Sequence, residues 1–133
     1  MKFRTPAGAV EFDIPDEWWT FAEMNTFSPG GGGYYPYPFQ LANSVEVVPL
    51  TDVEPPRRND GIPPFKKYKL VPLLLAFKSP ECALPPVEVE SIPNAGNPKY
   101  SVVNGYHRYY ASVAVGYTKL PVTIRQGRGN HAL

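Results

Sequence analysis

This chain of 133 residues contains one cysteine, has a small net charge and has no long apolar run. A single cysteine, Cys82, excludes an internal disulfide framework and a cysteine-rich metal site. The longest apolar run, from Leu70 to Phe77, is too short to cross a bilayer, and no basic segment followed by an apolar one marks a secretory signal. We therefore expect a cytoplasmic protein with no membrane partner.

The net charge is only +1, which provides no overall attraction for nucleic acid. The charges are nevertheless uneven, because acidic residues dominate segment 1–24 and basic residues dominate segment 57–69. The bases of the second segment are Arg57, Arg58, Lys66, Lys67 and Lys69. This contrast indicates either a basic surface with an acidic segment docked nearby or two solvated loops.

Proline and glycine are abundant, with 17 and 11 residues respectively, so the chain should form short elements joined by many turns. An aromatic content of 14% argues against wholesale disorder. The length suits one domain that is large enough to bury a core.

The N-terminal segment has the pattern of a strand followed by a helix. Residues 8–14 alternate apolar and polar side chains, which predicts a strand. Residues 15–24 are predicted to form a helix, because a proline and several acidic residues suit its first turn. Trp18, Phe21 and Ala22 share one face of that helix, and we expect this face to dock on the body of the protein.

The remainder of the chain alternates β-type runs with helical ones. Strands are predicted at 45–48, 87–92, 100–103 and 120–124. A helix that begins at about Lys69 would keep Pro72 within its first turn, where proline is tolerated. A second helix follows the third of these strands, and its buried stripe is expected to comprise Tyr110, Val113, Ala114 and Tyr117.

The most informative stretch is Asn104-Gly105-Tyr106-His107-Arg108, at the junction between a predicted strand and the second helix. A glycine turn that opens a helix presents backbone N–H groups at the positive end of the helix dipole, which suits an anion. His107 and Arg108 add side-chain donors for phosphate or carboxylate. The stretch therefore predicts an anion site.

This strand, turn and helix, together with the final strand, resemble the signature of the ParB/sulfiredoxin-like superfamily. Segment 44–58 resembles the first strand of that family and the turn after it, and segment 68–92 resembles the sulfiredoxin helix that begins at a lysine and the strand beyond it. The resemblance implies an α+β fold, a small domain whose mixed sheet of short strands packs with helices. The expected divisions are an N-terminal strand–helix arm packed on the core (1–43), the ParB/sulfiredoxin-like core (44–126) and a flexible tail (127–133).

The chain also departs from sulfiredoxin. Sulfiredoxin places its catalytic cysteine directly before the His-Arg pair, and Tyr106 stands at that position here, while Cys82 lies elsewhere. Pro72 and Ala76 replace two hydroxyl residues that help sulfiredoxin to hold ATP. We therefore do not expect sulfinic-acid reduction.

The resemblance implies a nucleotide or phosphate ligand, with ATP or CTP and Mg²⁺ as the expected cofactors. Lys69 matches the sulfiredoxin lysine that meets nucleotide phosphate. The phosphates are expected on the turn formed by Gly105, Tyr106, His107 and Arg108. Two alternatives stay open within that turn: Tyr106 either stacks on a base or fills space, and His107 either contacts the ligand or braces the turn.

Further roles fall on the loop after the first core strand. Arg57 and Arg58 match a ParB arginine region that would reach a triphosphate. Glu54 is the expected general base, because ParB-like kinases place a glutamate in this loop, and His107 is the second candidate catalytic residue.

Three functions remain open from the sequence. The first is a nucleotide-binding ParB-like domain, with NTPase or phosphotransferase activity as its extension. The second is a DNA-binding or nuclease ParB-like protein that uses the basic stretch 57–69. The third is a non-catalytic protein-interaction module, suggested by Trp18, Trp19 and the aromatic run 34–39.

Overall fold

The computed structural model describes residues 1–30, 32–35, 45–57, 65–79, 82, 84–93 and 96–125. The elements in chain order are β1 (Lys2–Arg4), β2 (Glu11–Asp13), α1 (Asp16–Phe21), β3 (Glu46–Pro49), β4 (Val53–Glu54), α2 (Lys67–Lys78), β5 (Val87–Ser91), β6 (Tyr100–Asn104), α3 (Tyr106–Val115) and β7 (Lys119–Arg125). Short 3₁₀ turns lie at Met24–Thr26 and Leu50–Asp52. Residues 127–133, the predicted tail, lie outside the described residues.

A sheet of five strands, in the order β3-β7-β5-β6-β4, forms the centre of the fold. The pairs β3–β7 and β5–β6 are antiparallel, whereas β5–β7 and β4–β6 are parallel. β1 and β2 form a separate antiparallel pair. The predicted α+β class with a mixed sheet of short strands is therefore confirmed.

Burial along the inner strands follows their position in the sheet. On β5, Val87 and Val89 are fully buried, and the glutamates beside them are half-buried. The adjacent strand β7 buries Leu120, Pro121 and Val122 in succession. A strand with neighbours on both sides can be covered on both faces, so it tolerates such a continuous apolar run.

Helix α3 lies within the hydrophobic core. Tyr110 and Ala114 of its predicted stripe are buried, and Val113 is half-buried. Tyr109 and Ala111, which the stripe did not include, are fully buried as well. The predicted stripe was too narrow because α3 contacts both α2 and β1, and a helix covered on several sides buries more than one face.

The predicted docking face of the first helix was wrong at one position. Phe21 is 63% exposed, whereas Trp19 is buried with its ring centroid 5.2 Å from that of Phe3. Ala22, three residues after Trp19, is fully buried, so these two residues set the inward face. Phe21 lies two residues from Trp19, roughly 200° around a helix of 3.6 residues per turn, and therefore faces outward.

The β1–β2 hairpin packs its aromatic residues on the core. The ring of Phe12 lies 4.8 Å from that of Tyr110 and 5.9 Å from that of Phe65, measured between centroids. The sequence pattern predicted β2 but not β1, whose three residues are too few to show alternation. The hairpin and α3 thus belong to one hydrophobic cluster.

Helix α2 begins at Lys67, so the prediction of a start at about Lys69 was wrong, and Pro72 lies inside the helix instead of in its first turn. Proline has no N–H for the carbonyl of the residue four positions earlier, here Tyr68. Both Tyr68 and Pro72 are exposed, so water is available to that carbonyl. None of the described helices is long and apolar enough to cross a membrane.

We expect stability to fall in alkali because several core tyrosines are buried. Burial raises the pKa of Tyr117 from 10.0 to about 12 and raises those of Tyr109 and Tyr110 as well. Unfolded tyrosines ionise first, so the free energy of unfolding should hold below about pH 10 and then fall by about 1.4 kcal/mol per pH unit for each buried tyrosine. Urea unfolding at pH 8, 10 and 11 measures this decline.

Tyr117→Phe should reduce the alkaline loss, whereas Tyr68→Phe should not, since Tyr68 is 71% exposed. Equal alkaline loss in the two variants and the parent would contradict the assignment.

Candidate functional site

The turn between β6 and α3 requires glycine. Gly105 has φ 119°, a left-handed conformation that side chains rarely adopt. A Cβ at this position would lie 3.1 Å from both methyl carbons of Val87 and 3.2 Å from Nη2 of Arg108. The carbonyl of Gly105 accepts the first helical hydrogen bond, from the N–H of Tyr109 at 2.8 Å. Conformation and space therefore both disfavour a larger residue here.

Arg108 joins the start of α3 to the chain that enters β5. Its Nη1 donates to the carbonyl oxygens of Pro85 at 2.8 Å and Pro86 at 2.7 Å. The Pro85 carbonyl also accepts a hydrogen bond from the Tyr35 hydroxyl at 3.2 Å. Arg108, predicted as a donor to an anion, is half-buried, and its Nη2 lies 3.2 Å from where a Cβ of Gly105 would be. One side of the guanidinium is thus used for structure, and its plane is fixed beside the helix N-terminus.

His107 links the starts of the two larger helices. Its Nε2 accepts a hydrogen bond from the backbone N–H of Lys66 at 3.3 Å. Its ring centroid lies 5.7 Å from that of Phe65 and 5.3 Å from that of Tyr106, both in edge-on geometry. The sequence left two roles open for His107, to contact a ligand or to brace the turn, and these contacts match the second.

Tyr106 is a packing residue at the floor of the site. It is buried, with ring centroids 5.8 Å from Phe65 and 5.1 Å from Tyr110. Tyr106 also lines the cleft described below, but its buried ring offers little area for stacking a base.

Tyr110 is a positioning residue that the sequence analysis assigned only to the core. Its hydroxyl donates to the carbonyl oxygen of Pro56 at 2.7 Å, which holds the loop after β4 against α3. Arg57, next in the chain, is thereby placed near the helix N-terminus. A tyrosine within an apolar helical stripe could have signalled this role, since a buried hydroxyl needs a hydrogen-bond partner.

A cleft of about 450 Å³ lies over the N-terminus of α3. Its lining residues are Pro56, Arg57, Lys69, Leu73, Val102, Val103, Asn104, Gly105, Tyr106, His107 and Arg108. The structure therefore brings the predicted turn together with Lys69 and Arg57, which are distant in the sequence. None of the described lining residues carries a carboxylate, so the cleft favours an anion.

The family model of the ParB N-terminal domain matches residues 39–133, which is more than half of the chain. The chain belongs to the ParB N-terminal domain family. The resemblance seen in the sequence is confirmed at this level. Searches of curated proteins and of solved structures returned no significant match.

Glu54 of this ParB-like chain lies outside the cleft. It borders a second cleft of about 430 Å³, together with Gly8, Pro55, Arg57 and Pro98. Arg57 lines both clefts, so the expected general base is separated from the glycine turn by that arginine. Arg58 lies outside the described residues.

Cys82 and the described acidic side chains lie outside the cleft at the glycine turn. Burial raises the pKa of the Cys82 thiol, which suppresses its nucleophilic thiolate form. Among the described residues, no group of three or more histidine, cysteine or acidic side chains could hold a metal ion.

Substitution of Gly105 should be costly, whereas Gly96 provides a matched control. Gly105→Ala should lower the free energy of unfolding by about 1–3 kcal/mol, because it adds a side chain at positive φ and against Val87. A Cβ at Gly96 would meet no atom within 4 Å, so Gly96→Ala should change stability by less than about 0.5 kcal/mol. Denaturant unfolding of both variants measures the difference, and equal effects would contradict the role of the turn.

Proposed function

We propose that this ParB-like chain binds the phosphate groups of a nucleotide, ATP or CTP, at the N-terminal turn of α3. The observation that carries the proposal is the convergence of Arg57, Lys69 and the turn 105–108 on one cleft. NTP hydrolysis or phosphoryl transfer is the extension that the family resemblance implies.

The electrostatics of the cleft support phosphate. Arg57 and Lys69 are exposed and Arg108 is half-buried, and none of the described lining residues is acidic. The positive end of the α3 dipole adds a partial charge of the same sign. The volume of about 450 Å³ is within the usual range for small-molecule sites, roughly 300–1,000 Å³.

The three cations suit different tasks. Nη2 of Arg108 is held beside the turn, so this group supplies a fixed donor at the helix N-terminus. Lys69 has a flexible stem, and its Nζ lies 5.9 Å from the Tyr68 ring centroid. A mobile ammonium can follow a phosphate as a point charge. Arg57 reaches the cleft from the loop held by Tyr110 and supplies a planar fork.

The residues of the cleft fit the nucleotide better than they fit its metal ion. Mg²⁺ prefers oxygen ligands and keeps several waters, usually with one or two carboxylates and the phosphates of the substrate. No carboxylate is among the described lining residues. Mg²⁺ in this site would therefore be held by phosphate oxygens and water, and would neutralise charge on the phosphates. Glu54, the general base that the sequence predicted, lines the second cleft.

Ligand-dependent thermal unfolding tests the proposal. ATP, CTP, GTP, ADP and inorganic phosphate should be compared, each with and without Mg²⁺. A nucleotide that binds only the native state raises stability by about 2.7 kcal/mol at one hundred times its Kd. We expect ATP or CTP to shift the midpoint more than inorganic phosphate does.

Lys69→Ala should raise the Kd for the nucleotide at least about tenfold, as expected for loss of a charged phosphate contact, and should therefore reduce the shift of the midpoint. Lys119→Ala, an exposed lysine at the start of β7 and outside the cleft, should leave the Kd unchanged. The absence of any shift at millimolar nucleotide, or an equal loss in the two variants, would refute the nucleotide site.

Substitution of Arg108 should affect both folding and binding. Arg108→Ala should lower the free energy of unfolding by about 1–3 kcal/mol, since it removes charged hydrogen bonds to two carbonyls, and it should abolish nucleotide binding. Arg108→Lys should recover part of the stability but little of the affinity, because lysine lacks the planar fork. Calorimetric titration below each variant's unfolding midpoint separates the two effects; full affinity in Arg108→Ala would contradict the proposal.

A further inference from the structure

The outward face of α2 is apolar where a solvent-facing helix is normally polar. Leu70, Leu74 and Phe77 point into the core. On the opposite side, Tyr68 and Leu75 are 71% and 42% exposed, seven residues apart and hence on one face. Packing in the core explains the apolar residues on the inner side of the helix but not those on its outer side.

Two more exposed apolar residues lie on α2 and next to it on α1. Pro72, four residues after Tyr68, is exposed and continues the same stripe. Phe21 of α1 is exposed too, and Nζ of Lys67 lies 5.6 Å above its ring. We call Phe21, Tyr68, Pro72 and Leu75 the α2 outer face. Clustered exposed side chains of this kind mark interaction surfaces more often than isolated ones do.

The charges on α2 itself are all positive. The segment 65–79 contains four lysines and no acidic residue. Lys78 is paired with Glu23 at 3.6 Å. No described acidic side chain lies within ion-pair distance of Lys66, Lys67 or Lys69. An apolar stripe is thus bordered by lysines without carboxylate partners in the part of the chain that the structure describes.

We propose that the α2 outer face binds an acidic amphipathic segment of a protein partner. Apolar side chains at helical spacing in such a segment would cover Tyr68, Pro72 and Leu75. Carboxylates beside these apolar side chains would pair with the lysines. Such pairing sets the orientation of the bound segment and raises its rate of association. The surface is distinct from the nucleotide cleft, although Lys69 borders both.

The surroundings favour a protein segment over an anionic membrane. Asp16 and Glu17 are exposed on α1, the helix that carries Phe21. A planar anionic bilayer that reached Phe21 would also meet these carboxylates, whereas a narrow peptide can lie along α2 and avoid them. The inner residues of α2 are held in the core, so this helix cannot turn a broad apolar face to lipid.

Selection from a phage-displayed library of helical peptides tests the proposal. The enriched peptides are expected to carry apolar residues at helical spacing with Asp or Glu beside them. A synthetic copy of an enriched peptide should bind the Tyr68→Ser/Leu75→Gln variant at least about tenfold more weakly in fluorescence anisotropy, as expected for loss of central apolar contacts. Lys67→Gln should weaken binding to a smaller extent and reduce its salt dependence.

Val47→Thr is the matched control, since Val47 is an exposed apolar residue on β3, and it should leave peptide affinity unchanged. Both substituted residues of the double variant are surface residues, so its unfolding midpoint should remain that of the parent. No enrichment, enriched peptides without acidic residues, or equal binding by the double variant would overturn the proposal. Tyr68-dependent flotation with phosphatidylserine vesicles, or Tyr68-dependent self-association in sedimentation, would replace it with a membrane or a second copy.

Discussion

The close packing of the α3 N-terminus against the start of β5 is the constraint on which the site depends. A side chain at Gly105 would meet Val87, and Arg108 donates to the Pro85 and Pro86 carbonyls, so the turn and the strand constrain one another. β5 pairs with both β6 and β7, and through these pairs the position of the turn is transmitted to the whole sheet. The geometry of the cleft is therefore a property of the sheet and the helix together, not of the glycine motif alone.

The sequence predicted the elements better than their surroundings. Periodicity and turn residues indicated β2, β3, β5, β6, β7 and the two larger helices, because these signals are local. The short strands β1 and β4 were not indicated, and the α+β class followed from the family resemblance. The sequence pattern did not show that α3 is covered on several sides. It also did not show that Trp19, and not Phe21, faces the core. Both features depend on contacts with residues that are distant in the sequence. The position of Pro72 inside α2 was missed for the same reason. A proline inside a helix is tolerated when water can reach the unpaired carbonyl, here that of Tyr68.

The candidate site was predictable in its parts and unpredictable in its assembly. The glycine turn could be proposed from local chemistry, and Lys69 and Arg57 only from the family resemblance; that these three meet in one cleft is visible only in the fold. The hydrogen bonds of Arg108, His107 and Tyr110 to backbone groups more than twenty residues away left no trace in local pattern. These bonds show that the three side chains hold distant backbone segments in place.

The hairpin contact of Phe12 with Tyr110 and Phe65 has a consequence for how the family match is used. Residues 39–133 define the matched region, yet the ring of Phe12, outside it, is buried against two of its aromatic residues. A fragment cut at residue 39 would bare that aromatic surface beside Tyr106 and the cleft, and exposed aromatic surface promotes aggregation. The region that the family model matches and the hydrophobic core of this chain therefore have different borders, and expression of the matched region alone should yield poorly soluble protein.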